Sequence, residues 1–583
     1  MHPCMIDASV STWTRRDFLR RGGQSSLAAF GAITLAGRAA GESNAEIDPR
    51  PQIARGVVFL DANGSGLAEG QQGLPGVLVS NGVDITETDR HGRYELAVSE
   101  DAIIHVIKPR GYRTQIDELN LPRFYYIHKP QGSPDADFIY KGVPPTGPLP
   151  ESVDFPLVPQ DEPDAFDVIF TADPQCYNLR QIQWYAAETT HAFRRHGAKF
   201  GIALGDIVGD HLDLYTPYNA INARCGFPWH NVIGNHDLNF MAAEDRYSAE
   251  SFTRVFGPTT YAFQYGRVHF IILNNVFWEG HAGMGGNGWP RTRQYHGRVR
   301  PEQLEYIRNY LSHAPADERI VVCAHIPMVN RIDEAERHRT PEFGQLLELL
   351  SGHRFTMSFS GHTHINANEM LGKEAGYDPP GGGLHHHCNL TATCGSWYRG
   401  PFDSHGVPFA PGRDGSPRGY AVVRFEGGEA YRVSVKPLGR ADDEQMHVAL
   451  PPLVERPSLG DTPVKVNVFN GSARTRVRMR VDEESRWTEL EHTVGMDPGY
   501  LALSERADAH PRAGRGTLPP AVATDHLWEG TLPAKLAPGW HTLTVQVRGT
   551  FGEDWQAKRT FAVAESAADL EPYNQGVLRP RNS

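Results

Sequence analysis

The chain has 583 residues, with 57 Lys+Arg against 69 Asp+Glu, 27 histidines and 6 cysteines. That length implies several domains of about 100–200 residues each, and a hydrophobic content of 40% excludes a wholly disordered protein. The net charge of −12 argues against a nucleic-acid binder, which relies on Lys/Arg–phosphate pairing; 59 Gly and 43 Pro without a Gly-X-Y period describe a turn-rich chain.

Residues 1–40 read as an export signal. Arg15-Arg16 and Arg20-Arg21 precede an apolar run, Leu27 to Ala36, too short to span a bilayer, and small residues follow at Gly37, Ala39 and Ala40. The paired arginines resemble a twin-arginine (Tat) signal, which implies the Tat machinery as a partner and a periplasmic or secreted product. The competing reading is a basic amphipathic helix, disfavoured by Gly22, Gly23 and Gly31. No later stretch reaches about 18 consecutive apolar residues, so no transmembrane segment is expected in the mature chain. Five cysteines remain there (176, 225, 323, 388 and 394), an odd and irregular set that argues against a disulfide framework, although Cys388 and Cys394 could pair.

Residues 50–142 alternate in strand fashion between turn signals: Gly56–Leu60, Gly76–Val79, Tyr94–Leu96 and Ile103–Ile107. They read as a small β-sandwich, similar to Ig-like or prealbumin-like modules. Asp61, Asn63 and Ser65 alternate as oxygen ligands of a Ca²⁺ loop would, but no Glu completes the loop and an Asx-rich turn is the better reading. The Pro-rich stretch 143–163 reads as a linker. Over 164–440 short apolar strands (Asp167–Phe170, Phe200–Leu204, Asn231–Ile233, Val268–Leu273, Arg319–Cys323, Phe355–Phe359) alternate with helical patterns. Leu179, Ile182, Ala186 and Phe193 share one helical face, and Leu304, Ile307 and Leu311 another, which predicts a layered α/β domain. Residues 445–565 return to β-rich patterning at Val464–Phe469, Arg476–Val481 and Leu543–Val547, and 566–583 form a loosely ordered tail.

In the central domain the strands end in polar residues: Asp173-Pro174-Gln175, Gly205-Asp206, Gly234-Asn235-His236-Asp237, His325-Ile326-Pro327 and Gly361-His362-Thr363-His364. Carboxyl ends of strands in such a fold converge on one crevice. The carboxylates, amides and imidazoles gathered there suit divalent metals held by N and O ligands.

These motifs, in this order, resemble those of the calcineurin-like metallophosphoesterases. The resemblance implies a four-layer α-β-β-α sandwich flanked by two β-sandwich-like modules, and a metal-dependent hydrolysis of a phosphate mono- or diester. It implies two divalent metal ions (Mn, Fe, Zn or Mg). Asp173 and His364 would ligate the first, with Gln175 where many members carry histidine; Asp206 would bridge; Asn235, His325 and His362 would ligate the second. His236 would contact the phosphate and assist the leaving group, with Asp237 orienting it. Two cations lower the pKa of a water between them and clamp the attacking and leaving oxygens, and an imidazole supplies a proton near neutral pH. An amide oxygen is a poorer ligand than imidazole for Zn²⁺, so Gln175 implies a weaker first site that prefers a harder cation. The segments Phe256-Gly257-Pro258 through Asn274-Asn275, Cys394–Gly400 and Asp414–Tyr420 look like one subgroup with flanking β modules. A cell-surface binding protein with an inactive phosphoesterase domain is the alternative, but it should have lost a ligand such as Asp206 or Asn235, and none is lost.

Other residues keep two readings. His385-His386-His387 either face the substrate or form a solvated turn; Asp210 either supports the site or is a loop carboxylate. Trp278, Trp289 and Arg293 lie in a Gly-rich insertion, 277–300, that reads as a lid, with core packing the competitor for Trp278.

Overall fold

In the computed structural model the described residues are 52–566, apart from 135–137, 282, 284–292, 334, 484–485 and 510–513. The export signal, Trp289 and the tail from 567 onward lie outside them. No helix among the described residues is long and apolar enough to cross a membrane.

The central region is two sheets face to face. In the first, Ala165–Thr171 pairs in parallel with Phe200–Ala203, which pairs in parallel with Trp229–Asn231; on its other edge Gly419–Glu426 runs antiparallel, followed by Tyr431–Pro437. In the second, Val268–Leu273, Arg319–Ala324, Thr356–Ser360 and His385–Asn389 run parallel, closed by the antiparallel edges Tyr261–Tyr265 and Ala367–Leu371.

Alternation along each strand builds the layers. Val168 and Phe170 point between the sheets, where they join Phe270, Ile272, Val321, Cys323, Met357 and Phe359. Ile169 and Ala203 point outward under the helices Leu179–Arg194 and Tyr215–Ala223. On the opposite side Ile271 and Val322 lie under Pro301–Leu311 and Phe343–Leu350. Strands buried on both faces read as continuous apolar runs, which is why they were visible in the sequence. The result is the expected α-β-β-α order, flanked by β-rich regions.

The N-terminal strands form two sheets, one built on Gln52–Leu60 and one on Leu78–Ser80, Ala102–Val106 and Tyr125–His128. The stretch expected as a linker contains a strand: Phe155–Pro159 pairs in parallel with Gln52–Leu60 and antiparallel with Tyr112–Ile116. Phe155 and Leu157 alternate into the core, and this period of two prevails over the proline density. Lys108 ties this module to the central region, with Nζ 2.6 Å from both Glu162 Oε1 and the Gln264 carbonyl. The insertion expected as an unstructured lid is, where described, a hairpin: Val276–His281 pairs antiparallel with Arg293–Gly297. Trp278 is buried and donates from Nε1 to the Ala242 carbonyl, so it belongs to the core.

C-terminally, one sheet built on Pro463–Val468 and Thr524–Thr531 packs against another built on Arg476–Val481, Gly539–Arg548 and Asp554–Ala564, around Val464, Val466, Met479, Trp528, Val545 and Phe561.

Candidate active site

The strands Ala165–Thr171, Phe200–Ala203, Trp229–Asn231, Arg319–Ala324 and Thr356–Ser360 each lead at their carboxyl end into one of the polar motifs. Asp173, Gln175, Asp206, Asn235, His325 and His364 are all buried. The turns that carry them are strained: Asp173, Gln175, Asp206, Asp210, His362 and His364 hold φ between 41° and 71°. Non-glycine residues in that region cost of order 1–3 kcal/mol each and persist where the surroundings over-determine them, as at functional sites.

Glycines let the turns close. A β-carbon on Gly234 would lie 2.3 Å from Asp206 Oδ1, and one on Gly361 would lie 2.3 Å from Asp173 Oδ2. Each of these two glycines therefore makes room for a carboxylate of a different motif.

The protons show what the pocket is built to hold. His325 Nδ1 lies 2.8 Å from the Leu204 carbonyl and must donate to it, which leaves the Nε2 lone pair facing Asn235 Oδ1 at 3.1 Å and Asp206 Oδ1 at 3.3 Å. His364 repeats the pattern: Nδ1 donates to the Gly395 carbonyl at 2.6 Å, and Nε2 faces Asp173 Oδ1 at 3.5 Å. His362 donates from Nε2 to the Arg337 carbonyl at 2.8 Å, freeing Nδ1. Acceptors facing acceptors in a buried pocket call for a cation or a proton between them. Ring N–H groups turned to backbone carbonyls are the usual support for metal-ligating histidines. Ligand atoms of Asp206, His325 and His362 lie within 4.8 Å of one another. Without a cation a proton takes its place: burial disfavours charge on His325, but Asp206 outweighs it and lifts His325 to about 9. Burial would likewise raise Asp206, but His325 and then His236 hold it below the usual carboxylate range. The donor set thus fits divalent metal ions.

Asp206 stands between two groups of candidate ligands. Oδ1 faces His325 and accepts from the His236 backbone N–H at 2.8 Å, while Oδ2 is 3.3 Å from Gln175 Nε2. Gln175, rotated about its last side-chain bond, would present its oxygen there instead.

The His236 imidazole is partly open to solvent and its Nδ1 lies 2.5 Å from Asp210 Oδ1. The residue beside the imidazole is thus Asp210, where the sequence pointed to Asp237. Asp237 is fully buried and accepts instead from the backbone N–H of Gly234 at 2.9 Å and of Ile207 at 3.1 Å, and from the Tyr215 hydroxyl at 3.1 Å. It shapes the turns carrying Asp206 and Asn235, and burial together with the Asp206 charge pushes it up to about 7. In the sequence Asp210 carries two readings, because adjacency favours Asp237.

Two supports had weaker sequence signals. Asn275 accepts on Oδ1 from the N–H groups of His325 and Ile326, both at 3.1 Å, and donates to the Ile326 carbonyl at 2.6 Å, pinning the His325 turn. The Cys394–Gly400 loop returns to the site, bringing the Gly395 carbonyl to His364 and the Trp397 ring to 4.5 Å from its imidazole. Tyr295, on the hairpin, approaches His362 edge-on with ring centroids 5.9 Å apart. His385, His386 and His387 do neither of the things expected of them. They form a buried strand in which His385 Nε2 and His387 Nδ1 each lie 2.8 Å from Ser358 Oγ, and desolvation holds all three well toward the neutral form. Cys388 and Cys394 are separate free thiols, both buried.

Family comparisons agree with this geometry. Residues 166–366 match the calcineurin-like phosphoesterase family, 61–143 match the N-terminal and 387–555 the C-terminal region described for calcineurin-like phosphoesterases. The chain belongs to the calcineurin-like phosphoesterases. It is a metal-dependent hydrolase of phosphoric esters. A search of curated proteins gives no match. Among solved structures it is similar to a dimetal phosphatase from Danio rerio (16% identity, 48% of this chain and 98% of that one, TM-score 0.30). It is also similar to a purple acid phosphatase from seeds of yellow lupin, Lupinus luteus (10% identity, 62% of this chain and 67% of that one, TM-score 0.31).

Proposed function

We propose that this calcineurin-like phosphoesterase is an exported enzyme that holds two divalent metal ions and hydrolyses a phosphate mono- or diester. One observation carries the two-metal reading. The Asp206 carboxylate directs Oδ1 to His325, beside Asn235, and Oδ2 to Gln175, with the Asp173–His364 pair forming a second set of inward-facing acceptors. In this reading Asp173, Gln175 and His364 hold one ion, Asn235, His325 and His362 the other, and Asp206 serves both. The ions would supply charge neutralisation at the phosphoryl oxygens and an acidified water.

The remaining work falls to the protein. His236 faces the open side of the pocket, and its Nε2 lies 4.0 Å from Asp206 Oδ2, within reach of a phosphoryl group seated at the centre. Asp210 accepts a hydrogen bond from Nδ1–H and so fixes the ring; in the doubly protonated ring Nε2–H holds a phosphate oxygen and passes its proton to the departing alkoxide. The strained turns keep the ligands in place before substrate arrives, which lowers the reorganisation the reaction requires. Export is supported by the Arg15-Arg16 signal.

The test is metal reconstitution of the mature chain, with stoichiometry read by elemental analysis and turnover read on paired aryl phosphate mono- and diesters. Two ions per chain and chelator-sensitive turnover of one ester class are expected. A single ion per chain with full turnover would refute the two-metal reading.

A further inference from the structure

Behind His364 the catalytic region meets the C-terminal sandwich through a buried polar network. Asp414 and His526 are both fully buried. Asp414 Oδ2 accepts from the Asn366 backbone N–H at 2.8 Å and from Ser416 Oγ at 2.9 Å. From the sandwich, His526 Nε2 reaches Asp414 Oδ2 at 3.0 Å and Nδ1 reaches Asn467 Oδ1 at 2.7 Å. Asn467 Nδ2 is committed to the Asp414 carbonyl at 2.8 Å, so its oxygen is the atom facing His526. Both imidazole nitrogens therefore face acceptors and both carry protons, which makes a buried imidazolium–carboxylate pair across the seam.

Such a pair is a poor way to gain stability, since desolvation costs several kcal/mol per ion and apolar residues would seal a seam as well. What it fixes is position. Asn366 lies two residues beyond His364 and donates from Nδ2 to the Phe469 carbonyl of the sandwich at 2.8 Å. Gly412, on the Asp414 loop, is packed so closely that a β-carbon there would lie 3.0 Å from the His364 carbonyl. The same loop holds Ser396, whose N–H donates to the Ala410 carbonyl at 3.2 Å and whose hydroxyl donates to that of Pro411. Ser396 follows Gly395, the carbonyl that sets the His364 tautomer. Two chains of contact thus run from His526 to His364, one through Asn366 and one through the 394–412 loops.

We propose that the C-terminal sandwich is part of the active-site construction, with Asp414, His526, Asn467 and Asn366 acting as positioning residues that hold His364 in ligand geometry. The inference rests on His364 being a metal ligand, as proposed above. It treats the sandwich as a support for one metal site rather than as a separate binding module.

The test measures Mn²⁺ affinity of the full-length protein by calorimetry and by electron paramagnetic resonance, with melting temperature recorded in parallel. His526→Gln removes the second ring donor and is expected to weaken one Mn²⁺ site by about tenfold or more, as loss of an outer support does, while the other site is unchanged. Asn366→Ala, which leaves the His526–Asp414 pair in place, is expected to weaken the same site and decides the matter if His526→Gln does not fold. Val545→Ala, in the sandwich core away from the seam, lowers melting temperature and is expected to leave both affinities unchanged. His364→Ala should lose the affected site altogether. If His364→Ala leaves both sites intact, the ligand reading is wrong. If His364→Ala removes a site while His526→Gln and Asn366→Ala bind Mn²⁺ like the wild type, or Val545→Ala weakens it equally, the positioning role is overturned.

Discussion

Asp237 offers a sharp test because the geometry assigns it to the scaffold while its place in the Gly-Asn-His-Asp motif points to chemistry. Replacing it with alanine removes the acceptor for three donors at ordinary distance: the Gly234 and Ile207 N–H groups and the Tyr215 hydroxyl, at 2.9, 3.1 and 3.1 Å. Each buried donor left unpaired costs about 1–3 kcal/mol, and partial entry of water recovers some of it, so a loss of about 3–5 kcal/mol is expected. Against a total stability of about 5–15 kcal/mol this is large, and it corresponds to a fall in melting temperature on the order of 10 °C. Thermal melts of the metal-free and metal-loaded variant would show it, and both forms should be destabilised. A variant that melts like the wild type yet loses turnover would refute the reasoning, because Asp237 would then act on the reacting groups directly.

Asp210→Asn should behave in the opposite way, lowering kcat by about 10²-fold through the His236 ring while melting temperature and metal content stay at wild-type values; unchanged kcat would remove Asp210 from the machinery. His387→Ala, which strips the Ser358 hydroxyl of a partner at 2.8 Å in a buried strand, should cost about 2–3 kcal/mol in thermal melts with kcat of the folded fraction unchanged. A selective loss of kcat would instead place that strand at the substrate. For His526, burial favours the neutral ring, but the bonded Asp414, with Asp525 and Asp497 nearby, raises it above its usual 6.5. The folded value exceeds the unfolded one, so the pair's contribution is complete below about pH 6.5 and is lost as pH rises through the folded value. The wild-type melting temperature should therefore fall above that pH more steeply than that of His526→Gln, and parallel slopes would contradict the imidazolium assignment.

How much of this was legible in the sequence depended on the kind of signal. The central strands announced themselves because they are buried on both faces, and the motif residues because each follows such a strand. Asp206, His325 and His364 needed only that placement. Phe155–Pro159 was hidden by its prolines, although the alternation of Phe155 and Leu157 was there to be read. The exchange of Asp210 for Asp237 has a geometric cause. A short 3₁₀ turn, Asn235–Asp237, directs neighbouring side chains apart, so Asp237 points down into the fold while His236 points out toward the Asp210 turn. His385–His387 misled by composition: three consecutive imidazoles resemble a polar surface, yet each finds a hydroxyl, amide or backbone partner inside the sheet. The seam at Asp414 and His526 joins residues more than a hundred positions apart, and no local pattern marks it.

The central claim is that Asp206 organises a metal centre that hydrolyses phosphoric esters. It is tested most directly by turnover of an aryl phosphate by the full-length, metal-reconstituted protein beside its Asp206→Asn variant, the two matched for melting temperature. Wild-type turnover that a chelator removes, and a loss of about 10³-fold or more in the variant, are predicted, since several kcal/mol of transition-state stabilisation would pass through the metal that this carboxylate would hold. Turnover by a folded Asp206→Asn variant at wild-type rate would contradict the account.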